Sequence, residues 1–111
     1  MKVYDKANEL AKDLKESDEY LEFKKIKEKV YGNPELKNKI DEFEKIRYEA
    51  QVMAIQGEKQ DTEKMDKMQE LYNILLKEPE IKEYFDKEVR FNVLLADVNK
   101  IIGEAVKDVL K

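Results

Sequence analysis

Any chemistry in this chain must be built from Asp, Glu, Lys and Tyr, because its 111 residues include no Cys, no His and no Trp. Without Cys there is no disulfide, no Fe–S ligation and no thiol nucleophile. Without His the commonest general base and the commonest zinc ligand are both missing. Carboxylates three and four residues apart recur along the whole chain, yet none of them forms a specific metal-binding or acid/base constellation. The reading is of a non-enzymatic protein with no cofactor and no metal.

Three sets of polar residues still warrant weighing. Lys24, Lys25, Lys27 and Lys29 are the densest basic cluster, a candidate contact for RNA phosphates or for an acidic partner. Glu22 and Glu28 lie among them, which equally describes a solvated helix face laced with charge pairs three or four apart. The net charge of -4, and a basic set that is Lys apart from Arg47 and Arg90, argue against a broad nucleic-acid face. The six tyrosines, at positions 4, 20, 31, 48, 72 and 84, fall on apolar helical positions and read as core and interface residues rather than as base-stacking platforms. Glu88 interrupts an otherwise apolar seam. Either it is a buried group that fixes register or pairs with Arg47, Arg90 or a partner chain, or its helix is only partly covered there and the carboxylate reaches water.

The elements that carry these residues are helices. Apolar residues make up 41% and charged residues 43% of the chain, a balance that suits helices with wide solvated faces. The spacing predicts helices over about 2–15, 18–31, 34–56, 62–77 and 79–109. Together they make an all-α, antiparallel bundle of about four to five helices in a single domain over 1–111, with long third and C-terminal helices. Val3, Ala7, Leu10 and Leu14 step along the first helix. Ser17 can cap the second, with Asp18 and Glu19 in the first turn where the helix dipole favours acids. Gly32-Asn33-Pro34 is the clearest punctuation: a helix stop, an N-cap, and a proline at the first helical position, where its missing N–H costs nothing. Leu36, Ile40, Phe43, Ile46, Ala50 and Met53 then mark one face. After a polar connection over 57–61, with Asp61 or Thr62 as cap, the fourth helix carries Met65, Met68, Leu71, Tyr72, Leu75 and Leu76 and stops before Pro79. Pro34-Glu35-Leu36-Lys37 and Pro79-Glu80-Ile81-Lys82 are near copies 45 residues apart, which suggests two related helical hairpins.

The last helix holds Ile81, Tyr84, Glu88, Phe91, Leu95, Val98, Ile102, Ala105 and Val109 at alternating steps of three and four. From Pro79 to Leu110 it would be roughly 48 Å long, whereas a domain of this size is on the order of 34 Å across. Partner coverage follows: a homo-oligomer, most simply a dimer, whose interface comprises Tyr84, Phe85, Glu88, Phe91, Leu94, Leu95, Val98, Ile101 and Ile102. The opening MKVYDKANELAKDL has no continuous apolar run, so neither a signal peptide nor a membrane anchor is expected, and the cytoplasm is the expected compartment.

Two stretches, MKVYDKANELAKDLKESDEYLEFKKIKEKVYGNPELKNKIDEF and NILLKEPEIKEYFDKEVRFNVLLADVNKIIGEAV, resemble the YlbF/YmcA family of small helical bacterial proteins. The opening VYDKANELA is most similar to the YheA-type branch. The likeness is carried by Ser17, Tyr20, Phe23, Pro34, Phe43, Gln51, Pro79, Phe91, Val98 and Ile102. It implies an all-helical, self-associating, cytoplasmic protein of a Gram-positive type bacterium. Members of the YlbF and YmcA branches act without catalysis as subunits of a regulatory complex with YaaT, influencing ribonuclease Y-dependent mRNA processing and hence competence, sporulation and biofilm formation. Those branches hold Fe–S clusters through cysteines, which this chain lacks, so the cluster does not carry over. The expected function is a non-catalytic regulatory or interaction protein, a subunit or adaptor linked to mRNA-processing control, with a regulatory type of protein partner. The alternatives are an RNA-associated adaptor working through the Lys-rich helix and a structural oligomer with no small-molecule ligand.

Overall fold

In a computed structural model the residues described are 1–57 and 62–110, and among them every regular element is a helix. The order is α1 (Lys2–Glu16), α2 (Asp18–Tyr31), α3 (Pro34–Ile55), α4 (Thr62–Leu75) and α5 (Pro79–Leu110). The fold is all-α, with long third and C-terminal helices.

Local chemistry explains the boundaries. Ser17 separates α1 from α2 as a single extended residue. Its hydroxyl donates to the Leu14 carbonyl (2.7 Å) and accepts from the Tyr20 N–H (3.2 Å), so one side chain closes one helix and caps the next. Asn33 caps α3 by accepting from the N–H groups of Glu35 (3.1 Å) and Leu36 (3.4 Å) just after Pro34. The two proline starts also share a backbone pattern: the Lys37 N–H donates to the Asn33 carbonyl and the Lys82 N–H to the Glu78 carbonyl. Gly57 takes a left-handed φ of 73°, which a side chain would resist. The alternative cap Asp61 lies outside the described residues. Helix α4 ends at Leu75, not at the expected 77. Over Leu76–Glu78 the N–H groups of Lys77 and Glu78 reach back only three residues, to Ile74 and Leu75, because Pro79 steers the residue before it away from helical geometry.

Two compact units divide the described chain, one spanning 28–83 and the other 1–27 together with 84–111, of which Lys111 is not described. In the 28–83 unit, α3 packs on α4 with opposite direction: Phe43 meets Tyr72 at 5.6 Å between ring centroids, and Glu49 meets Lys64 at 3.0 Å. Its core is Val30, Leu36, Ile40, Phe43, Ile46, Ala50, Leu75 and Ile81. The α3 members recur at steps of four and three, the period that keeps one helix face inward. Leu36 and Ile81, equivalent positions after the two prolines, are both buried.

In the other unit, α2 and α5 run in opposite directions. Tyr20 lies edge-on to Phe91 (5.7 Å), Phe23 contacts both Phe91 (5.9 Å) and Tyr84 (5.6 Å), and Tyr84 in turn meets Phe85 (5.7 Å). Such offset and edge arrangements are the favoured ones for aromatic rings. Lys87 closes the pair with a 2.9 Å bond to Glu22.

Candidate interaction surface

The aromatic pairing of α2 with α5 divides the expected interface. Tyr84 (2% exposed) and Phe85 are buried within the chain, so they are not offered to a partner. Of the residues expected at an association surface, these two lie inside the chain: the Phe23 ring of α2 packs on Tyr84, and Phe85 packs beside Tyr84. Glu88, Phe91, Leu94, Leu95 and Val98 are half-buried. Glu88 is therefore neither in the core nor fully in water. Ile101 and Ile102 are exposed, at 70% and 52%, and every residue from Asn99 to Leu110 is exposed with them. The far end of the seam thus has no cover.

A second uncovered stripe lies on α1, which contributes no buried residue. Val3 (65%), Tyr4 (68%) and Leu10 stand out from it as exposed large apolar groups. The expected interface list held only α5 residues. The signal was present as the Val3, Ala7, Leu10, Leu14 periodicity, but an amphipathic stripe says that a face is to be covered without saying by which element. Val89 and Val93, one turn apart and off the main seam, are likewise exposed. They line a shallow groove with Leu94, bordered by Glu19, Arg90 and Asp97. Their spacing of four, outside the seam, was the available clue.

The lysine cluster does not assemble into one face. Successive helix residues are about 100° apart, so Lys24 and Lys27 share one side of α2 while Lys25 and Lys29 share another. Lys27 sits over the Phe23 ring at 5.8 Å, and Lys29 pairs with Glu80 at 3.5 Å. These two are occupied in holding neighbouring side chains. Of the tyrosines, Tyr48 is exposed on the outer side of α3 rather than at the apolar position assigned to it, because it lies nearly opposite Ile46 and Ala50 around the helix. Arg47 pairs with Glu44 on its own helix and covers the Phe43 ring at 5.6 Å.

Electrostatics at the surface are those of paired charges. The Lys87 hydrogen bond, helped by the Lys87 and Arg90 charges, holds the Glu22 carboxyl below the ordinary carboxylate range. Lys64 does the same to Glu49, again chiefly by hydrogen bonding. Asp41 raises the Lys37 ammonium. Among the described residues no group of three or more Asp, Glu, His or Cys side chains is placed to hold a metal ion, and no buried side-chain polar atom lacks a hydrogen-bond partner. Nor, among them, is any helix long and apolar enough to cross a membrane. What the surface presents is apolar helix faces edged by charge.

The chain is a member of the YlbF/YmcA family, whose description is control of competence regulator ComK and whose model matches residues 3–107. It is 41% identical to the UPF0342 protein of Symbiobacterium thermophilum over 94% of this chain and 93% of that one. It is 40% identical to a UPF0342 protein of Caldicellulosiruptor saccharolyticus, over 94% and 87%. A protein of unknown function (DUF964) from Bacillus stearothermophilus has the same fold, with a TM-score of 0.85 over 97% of this chain and 95% of that one at 12% identity.

Proposed function

We propose that this protein is a non-catalytic regulator that works by helix-mediated association, as a subunit or adaptor in a complex that controls mRNA processing. The observation that carries the reading is the pair of uncovered apolar stripes, on α1 and on the distal half of α5, while among the described residues no buried side-chain polar atom lacks a hydrogen-bond partner. Exposed faces of this size on a small protein mark contact sites. The regulatory character rests on the family description, and the link to mRNA processing on the resemblance to the YlbF and YmcA branches. The protein functions as a homo-oligomer, most simply a dimer, in the cytoplasm, and recruits a further protein of regulatory type.

The test is capture of the tagged protein from its source organism, with bound proteins and RNA identified, alongside an Ile101→Asp/Ile102→Asp variant. The expected result is a defined set of RNA-processing proteins that falls away in the variant. Recovery of the protein alone would favour a purely structural oligomer, and recovery of RNA without a protein partner would favour an RNA adaptor; either overturns the proposal.

A further inference from the structure

We infer that the turn end of the α3–α4 hairpin is a docking groove for an amphipathic helix of another protein, one that presents bulky uncharged side chains along one face. The inference rests on the reading above that this protein recruits a partner, and it assigns that partner a site apart from α1 and the distal half of α5.

Toward the turn, α3 and α4 leave an open groove of about 310 Å³ on one side of the pair, lined by Arg47, Ala50, Gln51 and Ala54 of α3 and by Met65 and Met68 of α4. Its form follows from the residue types. Ala50 and Ala54, one turn apart, stand about 6 Å from each other along α3 and give a low floor, since neither side chain reaches beyond Cβ. Met65 and Met68, three residues apart on one side of α4, form the wall. Methionine is unbranched and polarizable, so this wall can adjust to side chains of different shape. Ile55, the final residue of α3, lies about 40° around the helix from Gln51 and carries the apolar surface on past the groove. It is 85% exposed, and Met65 is 38% exposed.

Shape, area and charge together select the occupant. The groove is open along its length and would leave much of a small molecule in water, whereas ligand sites enclose most of theirs. The surface that Ala54, Ile55 and Met65 leave open is on the order of 300 Å², against about 800 Å² per partner in an interface of standard size. That is too little to hold a second folded copy, and it matches one face of a short helix. Charge at the wall is answered within the chain. Arg47, the one charged lining residue, pairs with Glu44 and covers the Phe43 ring, and Lys64, next to Met65 in sequence, pairs with Glu49. The groove therefore offers carbon and sulfur rather than net charge, which suits an apolar helix face and not a nucleic acid. A helix laid along α3 would set side chains four residues apart, about 6 Å along its axis, over Ala50 and Ala54. It would pack ridge into groove and turn this end of the hairpin into a three-helix bundle.

The methionines are built-in reporters: Met65 and Met68 line the groove, while Met1 stands exposed at the start of α1. The full chain with isotope-labelled methionine methyls is titrated by NMR with a synthetic helical peptide of zero net charge that carries leucines three and four residues apart on one face. A scrambled peptide of the same composition is the control. The expected result is that only the patterned peptide shifts the Met65 and Met68 signals, with an affinity that changes less than about twofold between low and high salt. Ala54→Lys puts a long side chain on the floor at an exposed position, so it should keep the helical circular dichroism and weaken binding about tenfold or more. Unmoved Met65 and Met68 signals, equal shifts with the scrambled peptide, or an affinity that Ala54→Lys leaves intact overturn the groove. Shifts at Met1 alone place the peptide on α1 and overturn it as well, and binding that falls steeply with salt overturns the uncharged partner face. The reading it rests on fails separately: if Met65 and Met68 respond as expected but capture from the source organism returns no protein partner, the regulatory role falls and the groove stands.

Discussion

Leu75 is wholly buried, at 0% exposure, in the last turn of α4. Replacing it with alanine removes three carbon atoms from a site that cannot admit water in their place. At about 0.8 kcal/mol per buried methylene, the transfer term alone is roughly 2.4 kcal/mol. The cavity left behind adds to it, which brings the expected loss to about 3 to 4 kcal/mol, inside the range of roughly 2 to 5 seen for such truncations. For a chain whose total stability is on the order of 5 to 15 kcal/mol this is a large fraction. The assay is urea unfolding followed by helical circular dichroism. With a denaturant slope of about 1.5 kcal/mol per molar, the midpoint should fall by roughly 2 to 2.7 M. Ile101→Ala is the control: at 70% exposure the same kind of truncation should cost less than about 0.5 kcal/mol in dilute protein. A Leu75→Ala loss below about 1 kcal/mol, or one no larger than that of Ile101→Ala, would refute the assignment of Leu75 to the core.

Asn33→Ala removes the acceptor for the Glu35 and Leu36 N–H groups and should lower stability by about 1 kcal/mol in the same titration, with Asn33→Asp close to wild type. Gly103 has nothing within 4 Å of where a Cβ would sit, so Gly103→Ala should raise the thermal midpoint, by up to about 1 kcal/mol of helix propensity; a lowered midpoint would mean that another chain packs against that position. The folded-state pKa of Glu22 is depressed by Lys87, so the contribution of that contact is present above the ordinary carboxylate value and is lost as pH falls through the folded value. Carboxyl resonances followed by NMR should show Glu22 titrating low in the wild type and near the ordinary value in Lys87→Met; an unchanged titration would show that Lys87 is not the cause. Binding of single-stranded RNA at low salt should be weak and insensitive to changing Lys24, Lys25, Lys27 and Lys29 to Glu, since these lysines do not share a face; a steep loss would restore the RNA-adaptor reading.

Much of the architecture was legible because it is enforced within a few residues of chain. Asn33-Pro34 and Pro79 announce helix starts through a missing N–H and a nearby cap, and Ser17 announces a break through its hydroxyl; these effects need no distant neighbour. The α3 core, Leu36, Ile40, Phe43, Ile46 and Ala50, was readable for a related reason: a period of 3.6 already states which residues share a face. The end of α4 was read two residues late, because the three-residue turns before Pro79 are a choice between two nearly equivalent backbone patterns.

What the candidate surface contains could not be read in the same way. Tyr84, Phe85 and Ile102 lie on one helix and are apolar alike, yet the first two are buried, Tyr84 against the Phe23 ring of α2 and Phe85 beside Tyr84, while the third is open. Periodicity cannot separate them, since it describes what a face wants and not which partner arrives. The four lysines of α2 were close in sequence but divided in space, because neighbours on a helix point about 100° apart. By itself, then, the amino-acid sequence determined the helices, their caps, their inward faces and the absence of thiol and imidazole chemistry, all through short-range physics. Only the tertiary structure decided which apolar faces are used up within the chain and which remain for others, because burial depends on the long-range packing of α2 on α5 and of α3 on α4.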